Sequence, residues 1–405
     1  MKTFLCISTY FKGSAFLVAL KEQGARVFLV TSGKLRGKAW PFEHIDEVFY
    51  LEPDEIGSFN MQHLTLGTAG LMQHNKIDAI VALDDFDVER AATLREHFRI
   101  PGMGSTTVRY FRDKLAMRIK AQDEGIKVPA FTAVFNDAEV HTYTQVHEAP
   151  WVLKPRSEAS GTGIKKIHSS EELWEILNTL NNDRHKYLLE QFKPGTVYHI
   201  DAVTWNNKTA FISSAEYLAP PLEISQGGGV FRSITMDYKS AVNKALIALT
   251  KDVHKTFGLE HGASHTEAIK CHEDGEYYFL ETSARVGGAH IAEMTESSSG
   301  LNLWTEWAKI EYCKVTGGDY KSPKVTKLYA GLIMALTKDK HPDLSYFESP
   351  ELYLKVPLDY HVGLVLQSSD YAKIRELLDQ YADKITQDMV EVLPPDETLQ
   401  NSGWN

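Results

Sequence analysis

The stretch HTEAIKCHEDGEYYFLETSARVGG, residues 265 to 288, constrains the chain most. Its alternating apolar positions, Ala268 and then Tyr278 and Leu280, predict two adjacent strands. The polar His272-Glu273-Asp274-Gly275 between them carries the Asp-Gly chemistry of a reversal. Folded back, such a hairpin brings Glu267 and Glu281 to one end of a ladder, where a hard divalent cation would accept both carboxylates. Arg285 and Gly287-Gly288 follow at once, so charge and close-approach backbone for a phosphate group lie beside the acids. Solvated strand-end carboxylates and a plain glycine turn would leave the same letters, so the hairpin needs a second constellation.

That constellation is WVLKPRSEASGTGIKKI, residues 151 to 167. Trp151 to Leu153 reads as a buried strand ending at Lys154, with Ile164 to Ile167 as its returning partner. The small, glycine-rich loop between them offers Ser157, Ser160, Gly161, Thr162 and Gly163, and such a backbone can cradle phosphate oxygens while Lys154 supplies a point charge. Taken alone it reads as a flexible hairpin loop. No G-x-x-x-x-G-K-[ST] occurs in the chain, and no G-x-G-x-x-G follows a strand. Lys114 begins a helical pattern running to Glu124 with Gly125 as its stop, where a lysine is ordinarily a solvated residue. In LLEQFKPGTVYHIDAV, residues 188 to 203, Glu190, Gln191 and Phe192 end an apolar strand before a Pro-Gly turn and suit the edge of an adenine.

In this order, Asp113-Lys114, Lys154 with its loop, Glu190-Gln191-Phe192, Glu267 and Glu281-x-Ser283-x-Arg285 resemble the ATP-grasp superfamily. Within it the chain looks most like the biotin-carboxylase-like branch that contains the L-amino-acid ligases, over roughly residues 1 to 330. The resemblance implies that Lys114 and Lys154 contact ATP phosphates under the closing loop, and that Glu190 and the Phe192 backbone meet adenine. It implies that Glu267 and Glu281 hold Mg²⁺, for which Mn²⁺ can substitute, and that Arg285 faces the acyl phosphate. Two positions depart from the pattern. Ser283 stands where the family usually has Asn, a weaker metal ligand, and Val197 stands where a ribose-binding glutamate is expected.

The implied activity is carboxylate activation by ATP and capture of the acyl phosphate by an amine, with small-molecule carboxylate and amine substrates. A thiol acceptor, carboxyphosphate chemistry, or a nucleotide-binding regulator without turnover are the alternatives. The stretch from Glu223 to Ser233, with its Gly227-Gly228-Gly229, is expected to shape the acceptor pocket, and Arg232 to clamp a second carboxylate unless it is a solvated surface arginine. His199 and Tyr198 are expected pocket residues, or else core. The phosphoryl chemistry needs positioning and charge neutralisation rather than an activated nucleophile.

The rest of the chain fits. At 405 residues it has room for several domains, read as an open parallel α/β domain (1–104), a small lobe (105–187), a large lobe (188–326) and a small α+β subdomain (327–405). Thr3-Ile7, Val27-Val30 and Ala79-Leu83 are expected strands, with a helix Ala15-Gln23 stopped by Gly24. The open α/β pattern places ligands beyond strand ends, so Asp84, Asp85, Asp87 and Glu89 either line a substrate mouth or cap the next helix. After Lys327, strands Leu328-Ala335 and Gly363-Gln367 precede a helix whose Ile374, Leu377, Leu378, Tyr381 and Ile385 share one face, and the tail from Pro394 is expected to fray. The net charge of −11 argues against nucleic acid, and no apolar run reaches the roughly 20 residues of a bilayer span. The run Phe4-Leu5-Cys6-Ile7 is too short for a signal-peptide core. Three scattered cysteines form no CxxC or disulfide framework, which suggests a reducing cytoplasm. His265 and His272 near Glu267 do not form a closed zinc set. Homodimers are frequent among proteins that this chain resembles.

Overall fold

Strand pairing sorts the chain into three sheets, and the alternation of each strand decides what covers its faces. The structure is a computed structural model and describes residues 1–53, 59–158, 161–222, 224 and 229–390. Ser160, Glu223, the residues from Ser225 to Gly228 and the tail from Pro394 lie outside the described residues.

The first sheet is parallel, with order β3-β2-β1-β4 from β1 (Thr3–Ser8), β2 (Arg26–Ser32), β3 (Glu47–Leu51) and β4 (Ala79–Ala82). Phe4 and Cys6 of β1 enter one core with the helix Ser14–Glu22, while Leu5 and Ile7 enter another with the helix Val88–Phe98. Both faces are therefore covered, as a parallel sheet requires. The second sheet has order β5-β8-β6-β7, from β5 (Phe131–Ala133), β6 (Trp151–Pro155), β7 (Lys165–Ile167) and β8 (Tyr187–Gln191). Trp151 and Leu153 pack there against Val140, Leu173 and Leu177 of two covering helices.

The third sheet is antiparallel, with order β13-β12-β9-β10-β11-β14-β16-β15. It comprises β9 (Gly195–Trp205), β10 (Lys208–Tyr217), β11 (Phe231–Thr235), β12 (Gly262–Cys271), β13 (Tyr277–Ser283), β14 (Tyr329–Leu336), β15 (Leu352–Lys355) and β16 (His361–Ser368). The strands after Lys327 extend this sheet. Ile333 of β14 packs under the helix Tyr371–Asp388 through Ile374 and Leu378, whereas Leu332 packs against Ile291 and Met294 on the opposite face. The helix Leu303–Thr316 lies between the third sheet and the helix Ser14–Glu22, so its Trp307 shares a core with Phe16, Val203 and Ala263. The helix Ala241–Phe257 ends at Gly258, as its sequence predicts. Among the described residues, no helix is long and apolar enough to cross a membrane.

The hairpin β12–β13 forms as expected, with Gly275 in the left-handed region at φ 72°. The buried apolar residue of β13 is Phe279, not Tyr278 or Leu280. The register explains why. Glu267 lies opposite Glu281, but Ala268 lies opposite Phe279, so Leu280 is an extra residue on β13. Without that bulge, Phe279 and Glu281 would share a face. With it, Phe279 joins the core beside Ala268, while Glu281 turns to the side of Glu267.

Leu378 is fully buried against β14 and β16. Leu378→Ala is expected to lower stability by about 2–5 kcal/mol, read as a shift of the urea midpoint followed by tryptophan fluorescence. A loss below about 1 kcal/mol, the level of a surface substitution, would contradict this packing.

Candidate active site

The opposed Glu267 and Glu281 share one face of the third sheet with Ser283, which lies opposite His265. Lys114 connects this face to the second sheet. Its helix, Lys114–Asp123, starts at the Asp113 cap, whose Oδ1 accepts from the Leu115 and Ala116 amides and whose carboxylate also binds Arg156. Held there and buried, Lys114 Nζ lies 2.8 Å from Glu281 Oε2 and donates to the Glu158 carbonyl at 2.7 Å, in the glycine-rich loop. Burial raises the Glu281 carboxyl, but Lys114 and then Lys154 outweigh it and hold the group below the usual carboxylate range.

In the second sheet Lys154 Nζ lies 2.8 Å from Glu190 Oε2, and Arg118 Nε lies 2.7 Å from Glu190 Oε1. All three side chains are buried. The Glu190 carboxylate, expected at an adenine edge, is thus the counter-charge of two buried cations. Burial lowers Lys154 to about 8 despite the opposing pull of Glu190. Gln191 and Phe192 use their amide N–H groups on the Ala130 and Pro150 carbonyls, and Lys166 sits 3.8 Å from the centre of the Phe192 ring. Ser157 opens the loop, and Gly161 and Gly163 both adopt positive φ, flanking Thr162 in its turn.

Arg285, just after β13, ties the site to the first sheet. Its guanidinium binds the Asp85 carboxylate through Nε at 2.8 Å and through Nη2, and donates from Nη1 to the Val286 carbonyl. Burial raises the Asp85 carboxyl, and Arg285 followed by Arg112 depresses it further than that. The acidic loop divides by role. Asp84 caps the Phe86 amide and pairs with Lys12, Asp87 holds Thr9 and Arg90, and Glu89 is exposed. Only Asp85 of the four reaches Arg285, and among the described residues its buried Oδ1 has no hydrogen-bond partner.

Two residues expected to meet substrate are engaged by other side chains. Arg232 is on β11 rather than in a loop, and it binds Asp379 of the helix Tyr371–Asp388 at 2.6 Å. Strand alternation puts it on the face opposite Ser233, away from Glu267. His199 lies opposite Glu267 but is buried, with Asp201 on Nδ1 and Ser233 on Nε2, so both ring nitrogens are engaged. Gly287 approaches this layer closely, since a Cβ there would lie 2.8 Å from Asp201 Oδ1. Gly288 accepts the Ile291 amide at the start of the next helix. His272 is exposed at the hairpin turn and bonds Thr196, so it does not join His265 at a zinc site. His265 instead binds Asp201, and although burial disfavours the imidazolium, Asp201 raises this group to about 9.

Sequence reasoning missed Arg118, Asp201 and Tyr217. Arg118 carried a signal, because it falls on the buried stripe of Leu115, Met117 and Ala121, where a charge demands a partner. Asp201 and Tyr217 acquire their meaning only from strand order.

No family model matches the chain. It is 24% identical over 291 residues to an L-arginine-specific L-amino acid ligase of Bacillus subtilis, covering 70% of this chain and 67% of that protein. The structure superposes on an L-amino acid ligase from Bacillus licheniformis with a TM-score of 0.72 at 15% identity, over 97% of this chain and 99% of that one. A biotin carboxylase domain of Hydrogenobacter thermophilus, solved with MgADP, gives 0.69 at 15% identity over 96% and 90% of the two chains. The chain shares the fold of these ligase and carboxylase structures along nearly its whole length, and the order of its motifs resembles that of the ATP-grasp proteins.

A phosphate group bound beside Lys154 would restore its proton. Nucleotide binding at pH 8.5 is therefore expected to take up a substantial fraction of one proton, and at pH 7 almost none, measured by calorimetry in buffers of differing ionisation enthalpy. Lys154→Arg should abolish the uptake. Uptake that persists in that variant would assign the proton to another group.

Proposed function

We propose that this chain is an ATP-dependent carboxylate–amine ligase that forms an amide bond through an acyl phosphate, with release of ADP and phosphate. The observation that carries the reading is Lys114, which joins the opposed carboxylates to the glycine-rich loop through Glu281 and the Glu158 carbonyl. Relatives named as ligases, and an ATP-grasp neighbour solved with MgADP, support it.

Glu267 and Glu281 fit Mg²⁺, because two hard oxygen donors stand opposite each other on one face at the cleft. Bound there with ATP, Mg²⁺ would offset the charge of the phosphates. Lys114 and Lys154 hold the phosphates in line. A carboxylate oxygen of the first substrate attacks the γ-phosphorus, the bond to the β–γ bridging oxygen breaks, and ADP leaves. The amine nitrogen of the second substrate then attacks the acyl carbon, loses a proton, and expels phosphate. Arg285 faces the oxyanion formed in that attack.

Arg285 and Asp85 also suggest a substrate class. A guanidinium offers a carboxylate its partner, and the unpartnered Asp85 Oδ1 offers an acceptor to an ammonium group. Together they suit the two ends of an amino acid.

Phosphate release should be measured with ATP and Mg²⁺ across pairs of amino acids and other carboxylates. The reading predicts release that needs two particular substrates, vanishes in Glu281→Gln, and falls about 10²- to 10³-fold in kcat with Arg285→Met. Release that needs no amine, or that survives Glu281→Gln, would sink it.

A further inference from the structure

Glu267 stands at the end of a polar ladder that crosses four neighbouring strands. Its Oε1 accepts from the Tyr217 hydroxyl of β10 at 2.9 Å, and His265 Nε2 of β12 lies 3.7 Å from the same oxygen. His265 Nδ1 is 2.9 Å from Asp201 Oδ1 on β9, and Asp201 Oδ2 is 2.7 Å from His199 Nδ1. His199 Nε2 is in turn 2.7 Å from the Ser233 hydroxyl of β11, which donates to the Glu216 carbonyl at 3.2 Å. The Tyr217 ring lies against the His199 ring at 4.8 Å, and the Gly287 backbone covers the Asp201–His265 contact so tightly that a Cβ would lie 2.9 Å from His265 Nδ1.

Every member of this ladder other than Glu267 is buried. Apolar side chains would cover these strand positions at lower cost than a carboxylate and two imidazoles. The two imidazoles and the carboxylate gather closely enough to suggest a metal centre of their own. Each imidazole, however, already meets a separate Asp201 oxygen at hydrogen-bond distance, so the donors are aimed at the carboxylate and not at a shared point. What the ladder delivers is orientation at its open end. Both contacts on Glu267 fall on Oε1, which fixes the rotation of the carboxylate and directs Oε2 away from Tyr217 and His265.

We propose that Tyr217 and the Asp201–His265 pair are positioning residues that set Glu267 for the divalent cation, with His199 and Ser233 anchoring Asp201. The proposal rests on the reading of Glu267 as a metal ligand. It extends that reading to groups that hold the ligand and touch neither cation nor substrate.

Tyr217→Phe is the sharpest test, because it removes one hydroxyl and keeps the ring against His199. Mn²⁺ would be titrated into the full chain with ADP, and free Mn²⁺ followed by its paramagnetic resonance signal, with ADP affinity without metal measured in parallel. Tyr217→Phe and His265→Gln should each weaken Mn²⁺ binding about 10-fold while leaving metal-free ADP affinity unchanged, a split that a general loss of folding would not produce. If Glu267→Gln loses Mn²⁺ but both positioning variants stay within about twofold of the parent, the ladder is structural and the proposal fails alone. If Glu267→Gln itself keeps full Mn²⁺ affinity, the metal-ligand reading fails and takes the proposal with it.

Discussion

Lys114, Lys154, Arg118 and Arg285 are buried, and a buried cation must be matched by a carboxylate at close range. The matching sets the geometry of the whole cleft. Glu281 answers Lys114, Glu190 answers both Lys154 and Arg118, and Asp85 answers Arg285. Two of these pairings cross between parts of the fold. The first brings the helix that begins at Lys114 onto β13, and the last ties the loop after β4 to the residues after β13. Removing one partner of such a pair would leave its mate buried and uncompensated, at a cost of about 3–5 kcal/mol. The same groups are therefore structural and chemically poised. Lys114 holds the carboxylate proposed to take Mg²⁺, so phosphate oxygens arriving with the cation would exchange one set of opposite charges for another without leaving either lysine or glutamate alone.

The carboxylate pair depends on a finer constraint. An uninterrupted β13 would place Phe279 and Glu281 on one face, and the apolar core would compete with the cleft for that face. The extra residue Leu280 resolves the conflict, and its carbonyl, freed from regular pairing, accepts from the Arg118 guanidinium. One bulge thus links the core under Phe279, the opposition of Glu267 and Glu281, and the cation that also neutralises Glu190. The polar ladder behind Glu267 shows the same economy. Its members alternate with apolar neighbours such as Ile200 and Ala202, so a single strand serves a hydrophobic core on one side and the site on the other.

Much of this was legible from local chemistry. Asp-Gly between alternating runs marked the hairpin, the run from Lys114 marked its helix, and glycines marked the ends of Ser14–Glu22 and Ala241–Phe257. The bulge was not legible, because no letter in YYFLETS distinguishes an extra residue from a regular one, and Tyr278 and Leu280 were read inward in place of Phe279. Arg232 reads as a loop residue because the neighbouring glycines outweigh the alternation in Phe231–Thr235 that makes it a strand. Asp201 and His265 lie 64 residues apart and meet only because β9 and β12 are neighbours, an order that neither strand encodes alone.

The central claim is that a carboxylate oxygen attacks the γ-phosphate, and its most direct test follows that oxygen. A substrate labelled with ¹⁸O in both carboxylate oxygens, turned over with ATP and an amine, should place one label in the released inorganic phosphate and retain the other in the amide. Mass spectrometry of the phosphate reads the outcome. Unlabelled phosphate, or label carried away on AMP, would contradict an acyl phosphate intermediate and with it the account given for Lys114, Lys154 and the carboxylate pair.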